Sequence, residues 1–484
     1  MTLSPQLSAS KQGLAALRLR MGDGSQPLGF LVSAGSQADK ESLLPAIRKL
    51  AGLSGVQIYA TAGTSRFLRA NGVPNQEVFR ISDDQQPSFA SVITDEKIGM
   101  IINILTGDRE YDSEKSDAAH IRRMAAERLI YLVTEVEQAI TTIDTLLEPV
   151  KVGRNCNGDK TVNLWTSLAS RIDEKGGFYN GHAHGDKAYT ITLENFELGH
   201  SQMRQKWQLM GDIKRGPLYS SIGLEQRLRR CAESMLVQGV HTYRTFVDAD
   251  TTIRLNGVHA ALKIRDEYKG RLKIEVGLQP LEGLIKNEEA GRYFLEAAEL
   301  GVDFIGALPS RDEERSDEHL DLVMSLAKRL GIGVDAHVDQ ANDPTEDESE
   351  QLARFTIKHG MQGRVTAVHS ISLAAKPKEE RRRIIALMKE AGLRVVVCPS
   401  AALSMEQLDH HQVPTHNSIA PVKELLDGGI PIALGTDNVE DIFMPLSTGE
   451  MMRELWMLAE AVRLYDPEIL SDIACGKLFS DRVH

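Results

Sequence analysis

From residue 178 onward, an apolar run of five to eight residues alternates eight times with a helical stretch. The runs are Phe178–His184, Val240–Val247, Leu272–Leu278, Val302–Ala307, Ile332–Val338, Val365–His369, Arg394–Pro399 and Pro431–Asp437. Amphipathic stretches such as Asp317–Leu330, Glu348–Lys358, Glu379–Ala391 and Pro421–Leu426 separate them. Eight β-α units over about 300 residues predict a (β/α)8 TIM barrel. The insertion after the first strand, Ile191–Gly239, is long enough for two helices divided by Gly216-Pro217.

Such barrels carry their chemistry at strand C-termini. There this chain has Gly181-His182-Ala183-His184-Gly185-Asp186-Lys187, then His337, His369 and Asp437, each closing an apolar run. Alternate strand residues share a face, so His182 and His184 point the same way. Alone, that pair is as often two ordinary strand histidines as two metal ligands. Histidines and an aspartate at separate strand ends instead suit one borderline-hard divalent ion with a position left for water. Asp186 and Lys187 either pair with each other or orient the ligands. Cys398, with apolar neighbours, reads as packing. His410, His411 and His416 lie in a polar stretch around Pro414 and read as surface residues.

The first 150 residues have a different rhythm. After a polar extension, 1–25, come short strands at Leu28–Ser33, Val56–Ala60, Val78–Ile81, Ile98–Leu105 and Leu129–Val133, with helices between most of them. That alternation predicts a small parallel sheet over 26–148, with a linker at 149–176 and the barrel at 177–484. Thr61, Gly63 and Thr64 fall at a strand-to-helix turn. They can cradle a phosphate or carboxylate; on residue chemistry alone a plain N-cap is the simpler reading.

The net charge of −12 argues against a nucleic-acid surface. No apolar run reaches membrane length. The four cysteines form no CxxC, which fits reduced thiols in a cytoplasm.

Two resemblances sharpen these expectations. Asp39-Lys40, Tyr59–Leu68, Ile101-Ile102-Asn103 and Asp117–Arg123 resemble the methylglyoxal-synthase-like domain, in its regulatory form at the end of the carbamoyl phosphate synthetase large subunit. The resemblance implies a pocket for an anionic effector at Lys40, Thr61, Thr64 and Asn103, which the turn at Gly63 would complete. Leu105 departs from it, and Leu105–Arg109 replaces the segment that carries the catalytic Asp of true synthases. A non-catalytic sensor or packing domain is therefore expected.

The second resemblance is to the amidohydrolase superfamily, in its cytosine-deaminase-like branch. It rests on His182–Lys187, Arg244–Asp248, Pro280–Gly283, His337–Gln340, Thr366–His369, Gly435–Asn438 and Pro445–Gly449. It implies His182, His184, His337 and Asp437 as metal ligands, and His369 facing the water and the substrate's electrophilic carbon. The fourth strand end, Phe304–Pro309, lacks the lysine that bridges two ions in relatives, so one zinc or iron ion is expected. Asp437 would take the water's proton and His369 would stabilise the oxyanion. Gln340 stands where the deaminases have a proton-shuttling Glu, Leu281 where they have a pyrimidine-reading Gln, and Asn438 where Asp is common. Gln279 is a candidate substitute reader.

The expectation is a metal-dependent hydrolase of a non-peptide C–N bond in a small nitrogen heterocycle. One alternative is a deaminase of an amino-heterocycle other than cytosine. Another, of a different class, is a non-catalytic binding module. The expected partners are that substrate, an anionic effector and further copies of the chain, with no nucleic acid or membrane.

Overall fold

The computed structural model describes residues 28–53, 55–80, 83, 85–94, 98–104, 120–122, 124–125, 130–147, 164–200, 203–405 and 419–480. The chain divides into two compact units, Met1–Arg154 and Asn155–His484.

The first unit is a five-stranded parallel sheet. Its strands are β1 (Leu28–Ala34), β2 (Val56–Thr61), β3 (Gln76–Val78), β4 (Ile98–Ile104) and β5 (Tyr131–Val133), in the order β3-β2-β1-β4-β5. β1 and β4 are almost wholly buried, as expected of central parallel strands covered on both faces. The helix Gln37–Ala51 starts at a capping box: Ser36 accepts from Asp39 N, and Asp39 accepts from Ser36 N. It packs Leu43, Ile47 and Leu50 into the core around Phe30 and Val32.

The second unit is the barrel. Its strands are β6 (Phe178–Asn180), β7 (Val240–Asp248), β8 (Lys273–Gln279), β9 (Phe304–Ala307), β10 (Gly333–Val338), β11 (Val365–His369), β12 (Arg394–Val397) and β13 (Ile432–Leu434). All pair in parallel, each with its neighbour in sequence. Gly277 admits the Phe304 ring into the barrel interior; a Cβ there would lie 2.0 Å from it.

The regular strands β6 and β13 stop short of the apolar runs that announced them. The first run was expected to continue as strand to His184 and the last to Asp437. Instead the ladder ends at Asn180 and Leu434, and the two chain segments close the barrel by irregular bonds. Gly181 N donates to Leu434 O at 2.8 Å, and Thr436 N and Asp437 N both donate to His182 O at 3.0 Å.

The long insertion folds as the helices Met203–Lys214 and Ser221–Val237, separated by a turn at Pro217–Tyr219. The helix Leu164–Glu174 packs on Pro467–Ala474, where Lys175 Nζ reaches Glu468 (2.6 Å) and Asp472 (2.6 Å). No helix among the described residues is long and apolar enough to cross a membrane. The expectations for Leu105–Arg109, for Asp117–Ala119 and Arg123, and for His410, His411 and His416 lie outside the described residues.

Candidate active site

The site forms where the barrel closes. His182 and His184 are held between β7 and the segment that follows β13: Phe246 N of β7 donates to Ala183 O at 2.7 Å, while Thr436 and Asp437 bond His182 O. Gly435 makes this approach possible, since a Cβ there would sit 2.8 Å from His182 Cβ. His369 and Asp437 both have positive φ, +79° and +58°. Non-glycine residues pay strain for that conformation, and such strain gathers at functional strand ends.

The sequence-expected ligands converge. His184 Nε2 lies 3.3 Å from His337 Nε2 and 3.2 Å from Asp437 Oδ1; His182 Nε2 lies 3.5 Å from the same oxygen. His369 Nε2 stands 3.7 Å from the other oxygen, Oδ2. Both ring nitrogens of His182, and Nδ1 of His184 and His337, are buried without a protein partner. Buried polar atoms normally have partners; His182 Nε2 faces the cluster without one, and His184 Nε2 and His337 Nε2 stand against each other as two donors to a shared cation would. Donors about 2.0–2.2 Å from one shared ion stand roughly 3 Å or slightly more apart. The observed 3.2–3.5 Å separations fit such an ion.

The electrostatics agree. Burial lowers His182 and His184, pushes His337 well below the usual histidine range, and takes His369 down to about 4. Burial alone would raise Asp437, but the adjacent His182 and His184 imidazoles outweigh it and hold the carboxyl well below its ordinary value. Neutral imidazoles beside an ionised carboxylate are the protonation states that bind a cation.

Cys398 was expected to pack rather than to line the pocket. It is buried, and its Sγ lies within 4.8 Å of ligand atoms of His182 and Asp437. Burial, then the Asp437 charge, raises the thiol well above its usual range.

One pocket opens over the cluster. His184, His337, His369 and Asp437 form its floor, and Lys187, Gln279, Gln340 and Asn438 add polar groups. Trp207, Leu281, Phe443 and Met444 supply apolar wall. All three residues expected to meet substrate, Gln279, Leu281 and Asn438, thus line the same cavity as Gln340. Trp207 comes from the insertion, where no local signal marked it.

Behind the pocket is a buried charge cluster. Lys187 Nζ reaches Asp248 Oδ1 (2.7 Å), Asp186 Oδ1 (3.3 Å) and Gln279 Oε1 (3.2 Å). Lys214 Nζ meets Asp248 Oδ2 at 2.6 Å and also Asp250. Asp186 and Lys187 therefore do pair, within a larger network that the sequence did not reveal. Lys214 sits on the insertion helix, 27 residues beyond Lys187 (214 − 187). Only the strand-end position of Asp248 hinted at it.

In the first unit, the expected effector residues gather at the C-terminal edge of the sheet. Thr61 caps the helix Ala62–Ala70 without a side-chain cap bond, and its hydroxyl donates to Ser33 Oγ at 3.2 Å. Lys40 Nζ donates to Gly35 O at 3.3 Å and would stand 3.9 Å from a Cβ on Gly63. Asn103 pairs in register with Ser33. Thr64 is different: it is 2% exposed, and its hydroxyl both accepts from Ala34 N (3.0 Å) and donates to Ala34 O (3.2 Å). That hydroxyl is committed to ending β1.

An eight-stranded parallel barrel with this donor set at its strand ends defines the class of metal-dependent hydrolases. Residues 285–473 match the model of the amidohydrolase family, and residues 42–134 that of the MGS-like domain. An uncharacterised protein of Haemophilus influenzae is 38% identical over 266 residues, covering 54% of this chain and 94% of its own. The chain belongs to the amidohydrolase family and carries an MGS-like domain ahead of the barrel; it is a hydrolase of C–N bonds. It is 27% identical to N-isopropylammelide isopropyl amidohydrolase of Pseudomonas sp. strain ADP, over 61% of this chain and 73% of that one. The 5-methylcytosine deaminase of Klebsiella pneumoniae shares the fold, with a TM-score of 0.57 at 22% identity over 61% of this chain and 72% of that one. The N-terminal domain is 35% identical over 115 residues to the C-terminal section of the carbamoyl phosphate synthase large chain of Methanocaldococcus jannaschii, covering 24% of this chain and 18% of that one. Both expected resemblances are therefore found.

Proposed function

We propose that the barrel is a single-metal hydrolase acting on a C–N bond of a small nitrogen heterocycle, and that its ion is zinc or iron(II). The observation that carries this is the convergence of His182, His184, His337 and Asp437, with their ligand atoms 3.2–3.5 Å apart. These four residues would hold the ion. A divalent ion there supplies a Lewis acid that makes hydroxide available from water near neutral pH.

The chain's own groups do the rest. Asp437 would take the water's proton through Oδ2, the oxygen that faces His369. His369, neutral at working pH, places Nε2 3.7 Å from that oxygen and hydrogen-bonds the developing oxyanion. Trp207 and Leu281 exclude water and bound a planar substrate. Gln340 can hydrogen-bond the substrate but carries no titratable proton, so any proton delivered to the leaving nitrogen comes through Asp437 and His369.

The relatives named for an amidohydrolase and a deaminase favour two outcomes at this site: hydrolysis with ring opening, or release of an amine or ammonia with the ring intact. Product analysis over a panel of cyclic amides and amino-heterocycles with zinc-loaded protein separates them. Turnover of none would count against the reading. Cytosine itself should turn over negligibly. The double variant Leu281→Gln, Gln340→Glu, which supplies the absent pyrimidine contact and proton shuttle, should raise its kcat/KM by about 10²-fold or more. Rapid cytosine deamination by the native chain would contradict both assignments.

The MGS-like domain binds an anionic small molecule and makes no methylglyoxal. Lys40 offers an ammonium beside the uncapped N-terminus of the helix Ala62–Ala70, where free amides and the positive helix end favour a phosphate. Calorimetry with nucleotides and sugar phosphates should give binding that weakens at least about fivefold in Lys40→Ala. Because Thr64 Oγ1 already serves Ala34, Thr64→Val should act through the end of β1 and lower the domain's stability. Formation of methylglyoxal from dihydroxyacetone phosphate would overturn the non-catalytic assignment.

A further inference from the structure

Two buried ions fix two amides of the pocket in opposite senses. Behind Gln279 stands Lys187, 1% exposed. An ammonium has three protons and no acceptor. The three partners of Lys187 are Asp248 Oδ1, Asp186 Oδ1 and Gln279 Oε1, at 2.7, 3.3 and 3.2 Å. It can meet only the carbonyl oxygen of an amide, so Gln279 turns Oε1 back and leaves its Nε2 donor for the pocket.

Behind Asn438 stands Asp441, fully buried. Its Oδ1 accepts from Phe443 N (2.9 Å) and Met444 N (3.0 Å), and its Oδ2 accepts from Asn438 Nδ2 (2.5 Å). An ionised carboxylate only accepts, so Asn438 turns its NH2 back and leaves its Oδ1 acceptor for the pocket. Both amides line that pocket.

We propose that Lys187 and Asp441 are positioning residues that lock Gln279 as a donor and Asn438 as an acceptor, so that the pocket selects a heterocycle presenting a lone pair to the first and an N–H to the second. An oxo-heterocycle in its lactam form carries both. Lys187 has no proton left for substrate, so recognition falls to the two amides. This inference rests on the reading of the pocket as a heterocycle site.

Asp441→Asn tests it with little change of shape. The new side chain keeps an oxygen for Phe443 N and Met444 N but presents an NH2 to Asn438. Asn438 must then turn its own oxygen back and its NH2 into the pocket. Calorimetry on the full zinc-loaded chain compares 4-pyrimidinone, which has a ring N–H, with 4-methoxypyrimidine, which has a bare ring nitrogen there. Burial pushes the Asp441 carboxyl up to about 7, so the titrations are run at pH 8.5. The native chain should prefer the pyrimidinone about tenfold or more, and Asp441→Asn should reverse the preference by a similar factor. Equal weakening of both probes, with the ratio unchanged, would reduce Asp441 to a structural role and overturn the proposal.

A ligand-free measurement stands beside it. The side-chain amide signal of Asn438, assigned by its loss in Asn438→Ala, should show one downfield, slowly exchanging proton in the native chain and none in Asp441→Asn. A freely turning amide in the native chain would overturn the lock. A locked amide in a native chain that binds neither probe would uphold the positioning role and count against the heterocycle reading instead.

Discussion

The double substitution His182→Ala, His184→Ala should lower hydrolysis of any substrate the panel reveals by at least about 10³-fold. Lewis-acid assistance contributes several kcal/mol to the transition state, and each 1.4 kcal/mol is about tenfold in rate. Both rings lie in the cluster with Asp437 Oδ1, so their loss removes half of the four proposed ligands. Metal content should fall with activity. The metal-free variant should also be less stable than the native chain, because the buried Asp437 carboxylate loses both imidazoles beside its Oδ1. Kinetics, elemental analysis and circular dichroism on the same preparation check all three statements. Native metal content in the double variant would mean that the ion sits elsewhere.

Asp248→Ala should destabilise the barrel by about 3–5 kcal/mol. Asp248 is fully buried and stands between two ammonium groups, Lys187 at 2.7 Å and Lys214 at 2.6 Å. Burial would raise its carboxyl, but the two lysines outweigh that and hold it near 2. Removing it leaves two buried cations with only Asp186 and Asp250 between them. A buried charge stripped of its partner costs far more than an exposed pair contributes. The shift is read from the urea midpoint of the metal-loaded protein. The substitution should also loosen Gln279, whose oxygen leans on Lys187. A midpoint within experimental error of native would mean that the cluster contributes nothing net.

The barrel was legible because its strands are mostly buried, which keeps them rich in apolar residues and sets them apart from the helical stretches between them. The ligands were legible because barrels gather chemistry at strand ends. What the sequence hid are contacts between distant segments. Asp248 is recruited by Lys214, 34 residues away (248 − 214), and no local pattern ties them together. Trp207 reaches the pocket from an insertion whose helical character says nothing about its direction. The runs ending at His184 and Asp437 read as strand throughout, because composition cannot show that the closing seam replaces the ladder beyond Asn180 and Leu434. Thr64 could be read as a cradle or a cap; only three-dimensional structure reveals its hydroxyl bonded to Ala34, 30 residues earlier.

Metal titration tests a single-ion hydrolase most directly. The chain is stripped with a chelator, zinc or iron(II) is added back in fractional steps, and C–N cleavage of the best panel substrate is followed at each step. Activity should be absent at the start, rise linearly, and level off at one ion per chain, since His182, His184, His337 and Asp437 form one set and the end of β9 offers no bridging lysine. Full activity in the stripped chain, or a plateau reached only at two ions, would contradict it.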